Sequence, residues 1–301
     1  MATHTTTLTE AVATEVVTTQ VFTGNEESMA AKTHPAFASP DADVQLCSKD
    51  NTTFCIHSHT LVAVSGWFRT MFTLPQDTAG VSANTIEVIH VQEDADVLAG
   101  LLAIVSGTGC PDLKNIDYLE SLLCAAEKYE MPLPIAIARV ALMSPVVNAS
   151  PIRVYGIACR MNWIPEAKLA STRTLVLDLF APGWVAELDR VDAPHLTKLI
   201  ALHRQRKERF IAALDSPTFF ANHRPAKCFN CGRELVHHEW QSLKYRWAKQ
   251  MDKRPFGEHL SSEYMDVEEL AAVLGARCPI KNVSWRNCRD VLSSLISRPR
   301  E

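Results

Sequence analysis

Residues 54–72 read FCIHSHTLVAVSGWFRTMF, and the apolar period changes within them. Phe54 and Ile56 alternate with polar neighbours, the pattern of a half-buried strand. From Leu61 onward the spacing is helical: Leu61 and Val64 share one face, and Ser65 can cap a second helix that carries Trp67, Phe68, Met71 and Phe72. The stretch therefore predicts a strand that turns at His57 and Ser58 into two short helices. It holds two histidines, yet nothing in it reads as a nucleophile activated by a base beside it. Such an ordered apolar stretch predicts a packed surface element.

Working outward, Val44 and Leu46 alternate upstream, and Lys49-Asp50-Asn51 supplies turn chemistry. Residues 44–56 thus predict a β-hairpin with one apolar face. Downstream, Leu74-Pro75 ends the second helix and NTIEVIHV (84–91) predicts a third strand. Asp94 can cap a helix that ends at Gly107. A further helix from Asn115 to Tyr129 carries Ile116, Leu119, Leu122, Leu123, Ala126 and Tyr129 at helical spacing. After Met131 the pattern is helical throughout, in segments 133–143, 151–161, 165–179 and 193–215, with breaks at Pro145, Pro151, Pro165 and Pro194. The fold class expected is α+β. Three strands cannot bury both faces, so helices must cover the sheet, and Trp67, Phe68 and Phe72 supply large rings for that purpose.

Composition sets the classes that remain open. The 301 residues are 47% hydrophobic and 21% charged, ordinary for a globular protein, and the net charge is −4. Broad electrostatic attraction to nucleic acid or anionic membranes is not expected from that balance. No apolar run reaches the length of a membrane span. The stretch MATHTTTLTEAVATEVVTTQ lacks a basic start and an apolar core, so it does not read as a secretory signal. Nine cysteines at irregular spacing then read as reduced thiols in a cytoplasmic or nuclear protein.

Four segments follow. Residues 1–38 are Thr-rich and poor in large apolar groups, which predicts a disordered tail. Residues 39–145 form the α+β domain. Residues 146–222 predict a helical extension, and the break DSPTFFANHRPAKC (215–228) separates it from a helical Cys/His-containing module at 223–301. No solenoid repeat is present.

The order strand, turn, strand, helical hairpin, strand, helix, helix resembles a BTB/POZ domain. The resemblance is carried by Asp43, Val44, Phe54, His57, Leu61, Ser65, Phe68, Met71 and Phe72, by LLAIVSGTG (101–109), and by LLCAAEKYEMP (122–132) with its Tyr129. PIRVYGIACRMNWIPEAKLAS (151–171) is similar to the helical extension of many fungal BTB proteins. The resemblance implies a protein-interaction module that self-associates, or that binds the N-terminal part of a cullin as a ubiquitin-ligase adaptor. No small-molecule substrate is implied. Two departures stand out. The amphipathic helix that precedes the domain in strand-exchanged dimers is not evident between Asn25 and Pro40. Where repressor-type members carry a basic residue that pairs with the first-strand aspartate, this chain has Ser58, which leaves Asp43 without that partner. His57 itself reads as a packed histidine that hydrogen-bonds a loop or helix end, and His59 as an exposed one.

The second chemical candidate is CFNCGRELVHHEW (228–240). Cys228 and Cys231 have the spacing of a zinc knuckle, and tetrahedral coordination would take two more ligands from His237, His238, Cys278 and Cys288. The competing reading is ordinary reduced cysteines. If zinc binds, it stabilises the module, and KYRWAKQMDKRP (244–255), with Tyr245 and Trp247 among its basic residues, becomes a nucleic-acid contact of a nuclear regulator. The bland reading of that stretch is a solvated helix face. HRQRKERF (203–210) likewise reads as the wet face of a helix whose other side shows Leu199, Leu202, Phe210 and Leu214. No phosphate loop, nucleophile elbow, His-Glu-x-x-His or dinucleotide fingerprint occurs, so no catalytic residue is nominated and an enzyme is not expected.

Overall fold

The computed structural model describes residues 32–74, 87–145, 147, 150–215 and 238–257. The chain divides into two compact units, residues 1–140 and 141–301. The fold is α+β, with the strands, among the described residues, in the first unit.

The sheet of the first unit has the order β1-β3-β2-β4, with β1 Lys32–Ala38, β2 Val44–Cys47, β3 Thr52–Ile56 and β4 Glu87–His90. β2 and β3 form the antiparallel hairpin that their alternation predicts, with Leu46 opposite Phe54. Both side chains are fully buried. At the turn Asn51 takes a φ of 59°, and the Ser48 hydroxyl donates to Asp50. β4 lies parallel to β2 on its other side. Residues 84–86 of the expected third strand lie outside the described residues.

β1 departs from the sequence expectation, which placed residues 32–38 in the tail. It runs parallel to β3, with a register irregularity between Thr33 and Ala38 that spans Pro35, a residue with no backbone donor. Its contribution is to cover Phe54: His34 stacks on that ring at 4.8 Å and Phe37 tilts against it at 5.7 Å.

Helices α1 (Ser58–Val64) and α2 (Gly66–Thr73) form the expected hairpin. Ser65 caps α2, its hydroxyl accepting from the Phe68 N–H at 3.1 Å. α3 (Ala95–Val105) shows a second departure. Asp94 occupies the N-cap position but its side chain makes no capping bond. Instead Asp50, from the β2–β3 turn, accepts the Ala95 N–H at 3.0 Å. The helix end is thus fixed by the hairpin beneath it, forty-five residues away in sequence. Gly107 follows in the left-handed region, with φ 69°, where a side chain would be strained. α4 (Ile116–Lys128) is capped by Asn115, whose side chain accepts from Asp117 and Tyr118. It buries Leu119, Leu122, Leu123 and Ala126, four of the positions its spacing marks. α5 (Pro132–Leu142) spans the division between the units.

The second unit is helical among its described residues: α6 Pro151–Arg160, α7 Ile164–Thr174, α8 Val185–Leu188, α9 Ala193–Asp215 and α10 His238–Lys253. Proline stands in the first turn of α6 and α7, where its missing donor costs nothing. α6 packs along α7 and buries Ile152, Val154, Ile157 and Ala158. The Tyr155 hydroxyl donates to the His195 carbonyl at 2.9 Å, which ties α6 to the start of α9. α10 belongs to the segment expected to form a separate module, yet it packs on α9 within one unit.

Candidate interaction surface

The residues that carry the resemblance fall into two groups. Val44, Phe54, Leu61, Ser65, Phe68 and Tyr129 are buried, while Asp43 is exposed and His57, Met71 and Phe72 are half-buried. Ser65, Phe68 and Tyr129 meet at one node. The Phe68 and Tyr129 rings stack at 5.4 Å, Trp67 meets both edge-on, and the Ser65 hydroxyl donates to the Tyr129 carbonyl at 2.5 Å. One serine therefore joins the start of α2 to the end of α4. Phe72 extends the aromatic row, 6.1 Å from Phe68.

Glu93 completes the node, and sequence reading did not single it out. It accepts a short hydrogen bond from the Tyr129 hydroxyl and pairs with Lys128 at 3.0 Å. Its carbonyl accepts the Lys49 N–H, so the hairpin turn is tied to the same point. Burial, with Glu93 adding to it, pushes the Tyr129 phenol far above its ordinary range and keeps it a neutral donor. An isolated Glu before a capped helix carries no periodic signal, and only its partners mark it.

Asp43 lies in a bend one residue before β2 and not within it. The basic partner is absent, as the sequence implies, but Asp43 is not left bare. Ser58 donates its N–H at 2.7 Å to one carboxylate oxygen and its hydroxyl at 2.5 Å to the other. The Ser58 hydroxyl holds this carboxyl below the usual range. The His57 ring stacks on His59 at 5.2 Å, and its side chain makes no capping bond at the start of α1, so of the two partners expected of it, a loop or a helix end, the end of α1 is not one. His59 is exposed, in keeping with its reading.

Beside β1 runs an open groove of about 470 Å³. Its lining includes His34, Phe37, Gly100, Ala103, Pro111 and Tyr118. Close approach favours the glycine: a Cβ at position 100 would collide with the Tyr118 hydroxyl, which donates to the Asp96 carbonyl, and one of them would have to shift. The lining thus combines two half-buried rings, His34 and Tyr118, with the buried Phe37 and small residues, beside the strand β1 at the end of the sheet order.

Polar pairs of the second unit are structural in geometry. Thr174 and His203 meet at 3.0 Å, both buried, and burial pushes the His203 imidazole down to about 4. His203 opens a basic run expected to be wet, yet it joins Leu199, Phe210 and Leu214 on the buried side of α9. His195 pairs with Asp192 at 2.7 Å on the exposed side.

The zinc-ligand candidates Cys228, Cys231, His237, Cys278 and Cys288 lie outside the described residues, and of His238 only the backbone, at the start of α10, is described. Among the described residues no group of three His, Cys, Asp or Glu side chains can hold a metal ion. Among them, too, no helix is long and apolar enough to cross a membrane. No protein-family model matches the chain, and no curated protein matches it.

Proposed function

We propose that the chain is an adaptor or scaffold that works by protein association through residues 39–145, a BTB/POZ-type module, and that it brings targets to a cullin ubiquitin ligase. The observation that carries this reading is the arrangement around Ser65. A β2–β3 hairpin, whose two ends meet through Asp43 and Ser58, leads into a two-helix hairpin, whose capping serine bonds the end of α4 beside a stacked Phe68–Tyr129 pair. The sequence resemblance rests on these same positions. They build a rigid core and leave half-buried side chains, not a nucleophile and its base, at the surface.

The test is calorimetric titration of the full chain with the N-terminal region of a cullin, paired with light scattering of the chain alone. Micromolar or tighter binding, about −8 kcal/mol, supports the ligase adaptor. Absence of cullin binding from a folded, self-associating chain removes the ligase and keeps the scaffold. A folded monomer that binds no cullin sinks both.

A further inference from the structure

Helices α9 and α10 concentrate positive charge that the whole chain conceals. Residues 193–215 and 238–257 hold ten Lys and Arg against four Asp and Glu, whereas the whole chain holds 30 against 34. The two helices form an antiparallel pair. Lys207 meets Asp252 at 2.5 Å, Lys244 meets Asp215 at 2.6 Å, and Trp247 meets Phe210 edge-on between them. Trp247 is only 4% exposed and Met251 is buried beside it. The inward face of α10 is therefore used by the pair.

The outward face is different. Tyr245 is 71% exposed, and Lys249 and Lys253 follow it at four-residue steps, both exposed. The helical rise places successive members of this strip about 6 Å apart along the axis. Neither lysine has an ion pair among the described residues, and the Tyr245 ring touches no other ring there. Of the two aromatics in this basic stretch, one builds the core and the other faces solvent.

A bare ring in line with cations has two capacities at once: the ring face takes a stacked base and the ammonium groups take phosphates. An acidic peptide would use the lysines and leave the ring idle. A duplex keeps its bases stacked among themselves and would have to unstack one to reach the ring. An anionic membrane would need the apolar side of α10, which is packed on α9. We propose that Tyr245, Lys249 and Lys253 form a binding strip for single-stranded nucleic acid, with an unpaired base on the Tyr245 ring and backbone phosphates on the two lysines. This strip needs neither zinc nor the association module of the first unit.

The test is fluorescence anisotropy of the full chain with labelled twelve-residue oligouridine and oligodeoxythymidine, at about 50 and 200 mM salt. Two phosphate contacts on a single strand give a log–log salt slope of about −1.4, so the fourfold rise in salt weakens binding about sevenfold. Lys249→Glu with Lys253→Glu removes that slope. Tyr245→Ala weakens binding by about fivefold or more at unchanged slope, and Tyr245→Phe restores it. All of these positions are exposed, and unchanged circular dichroism verifies folding. Lys114→Glu, an exposed change in the first unit, leaves affinity as it was. Binding of either oligonucleotide with this pattern supports the proposal. Failure of both to bind at low salt overturns it. So does Tyr245→Ala binding like the parent chain, a duplex binding as tightly, or oligoglutamate of equal length displacing the strand equally well.

Discussion

Replacing Ser65 by alanine tests the node that holds the first unit together. The side chain is fully buried and makes two hydrogen bonds: it accepts from the Phe68 N–H at 3.1 Å and donates to the Tyr129 carbonyl at 2.5 Å. Loss of the cap alone costs about 1 kcal/mol. The Tyr129 carbonyl then loses a donor in a site closed to water, which adds about 1–3 kcal/mol. Removal of one oxygen leaves little new space, so a cavity contributes little. The sum is about 2–4 kcal/mol for a change that touches no ring. Because the chain has two compact units, a single melting temperature would mix them. Hydrogen exchange by mass spectrometry reads them separately. Amides of α2 and the end of α4 that open only with the whole unit should exchange about 30- to 700-fold faster. Peptides from α6 and α7 serve as the internal standard. Thr73→Ala, exposed on the same helix, should change exchange by no more than about twofold. If Ser65→Ala accelerates exchange by less than about fivefold, the hydroxyl bridge does not join α2 to α4 in the way argued.

Three further perturbations address the same packing and its capping. Phe68→Ala empties a site that is 1% exposed and should cost the first unit about 3–5 kcal/mol, while Phe72→Ala, at a half-buried ring, should cost about half as much; equal exchange rates in both variants and the parent would refute the core assignment. Asp50→Ala removes the acceptor for the Ala95 N–H and should fray the first turn of α3 by about 1 kcal/mol, whereas Asp94→Ala should not, since its side chain makes no cap; the reverse order of effects in exchange would restore Asp94 as the cap. The His203 imidazole is depressed from 6.5 to about 4, so the folded second unit resists a proton that the unfolded chain takes up: its stability is complete above about pH 6.5 and falls by up to about 1.4 kcal/mol per unit as pH drops toward 4. His203→Gln, which can still reach Thr174, should flatten that slope, and an unchanged slope in urea unfolding would assign the acid sensitivity elsewhere.

The parts of this fold that sequence reading reaches are those where one residue type and one period act locally. Alternation at Val44, Leu46, Phe54 and Ile56 marks the hairpin, and Ser65 before an apolar run marks a helix start, because the physics of each lies within a few residues. What escapes is decided at a distance. β1 has little apolar alternation in KTHPAFA, and it exists as a strand through parallel pairing with β3 and the stacking of His34 and Phe37 on Phe54. Asp94 has the right type at the right place to cap α3, but the carboxylate of Asp50 fills that role from the turn of another element. His203 lies among arginines, which favours a wet reading, and only the position of Thr174 shows it to be enclosed. At the candidate surface, the Ser65–Phe68–Tyr129 residues were legible as a resemblance, whereas Glu93 and the groove lining of His34 and Tyr118 depend on which elements become neighbours.

The corner between β3 and α1 illustrates how one substitution changes what a surface offers while the backbone keeps its path. A lysine or arginine after His57 would neutralise Asp43 and present a charge pair. Ser58 satisfies both carboxylate oxygens through its N–H and hydroxyl and adds no charge, so the geometry of the turn is held and the negative charge stays at an exposed site. Asp41, also exposed, stands two residues away. Rim charges of this kind act on association rate and partner choice more than on affinity. The α9–α10 pair imposes the opposite condition, since its strip of Tyr245, Lys249 and Lys253 accepts anions. If both proposals hold, an exposed carboxylate pair on the first unit and a cationic strip on the second call for partners of different charge, which would not compete for one site. The net charge of −4 does not reveal the basic character of the α9–α10 region, because the ten Lys and Arg of residues 193–215 and 238–257, against four Asp and Glu, are outweighed by the acidic excess of the rest of the chain.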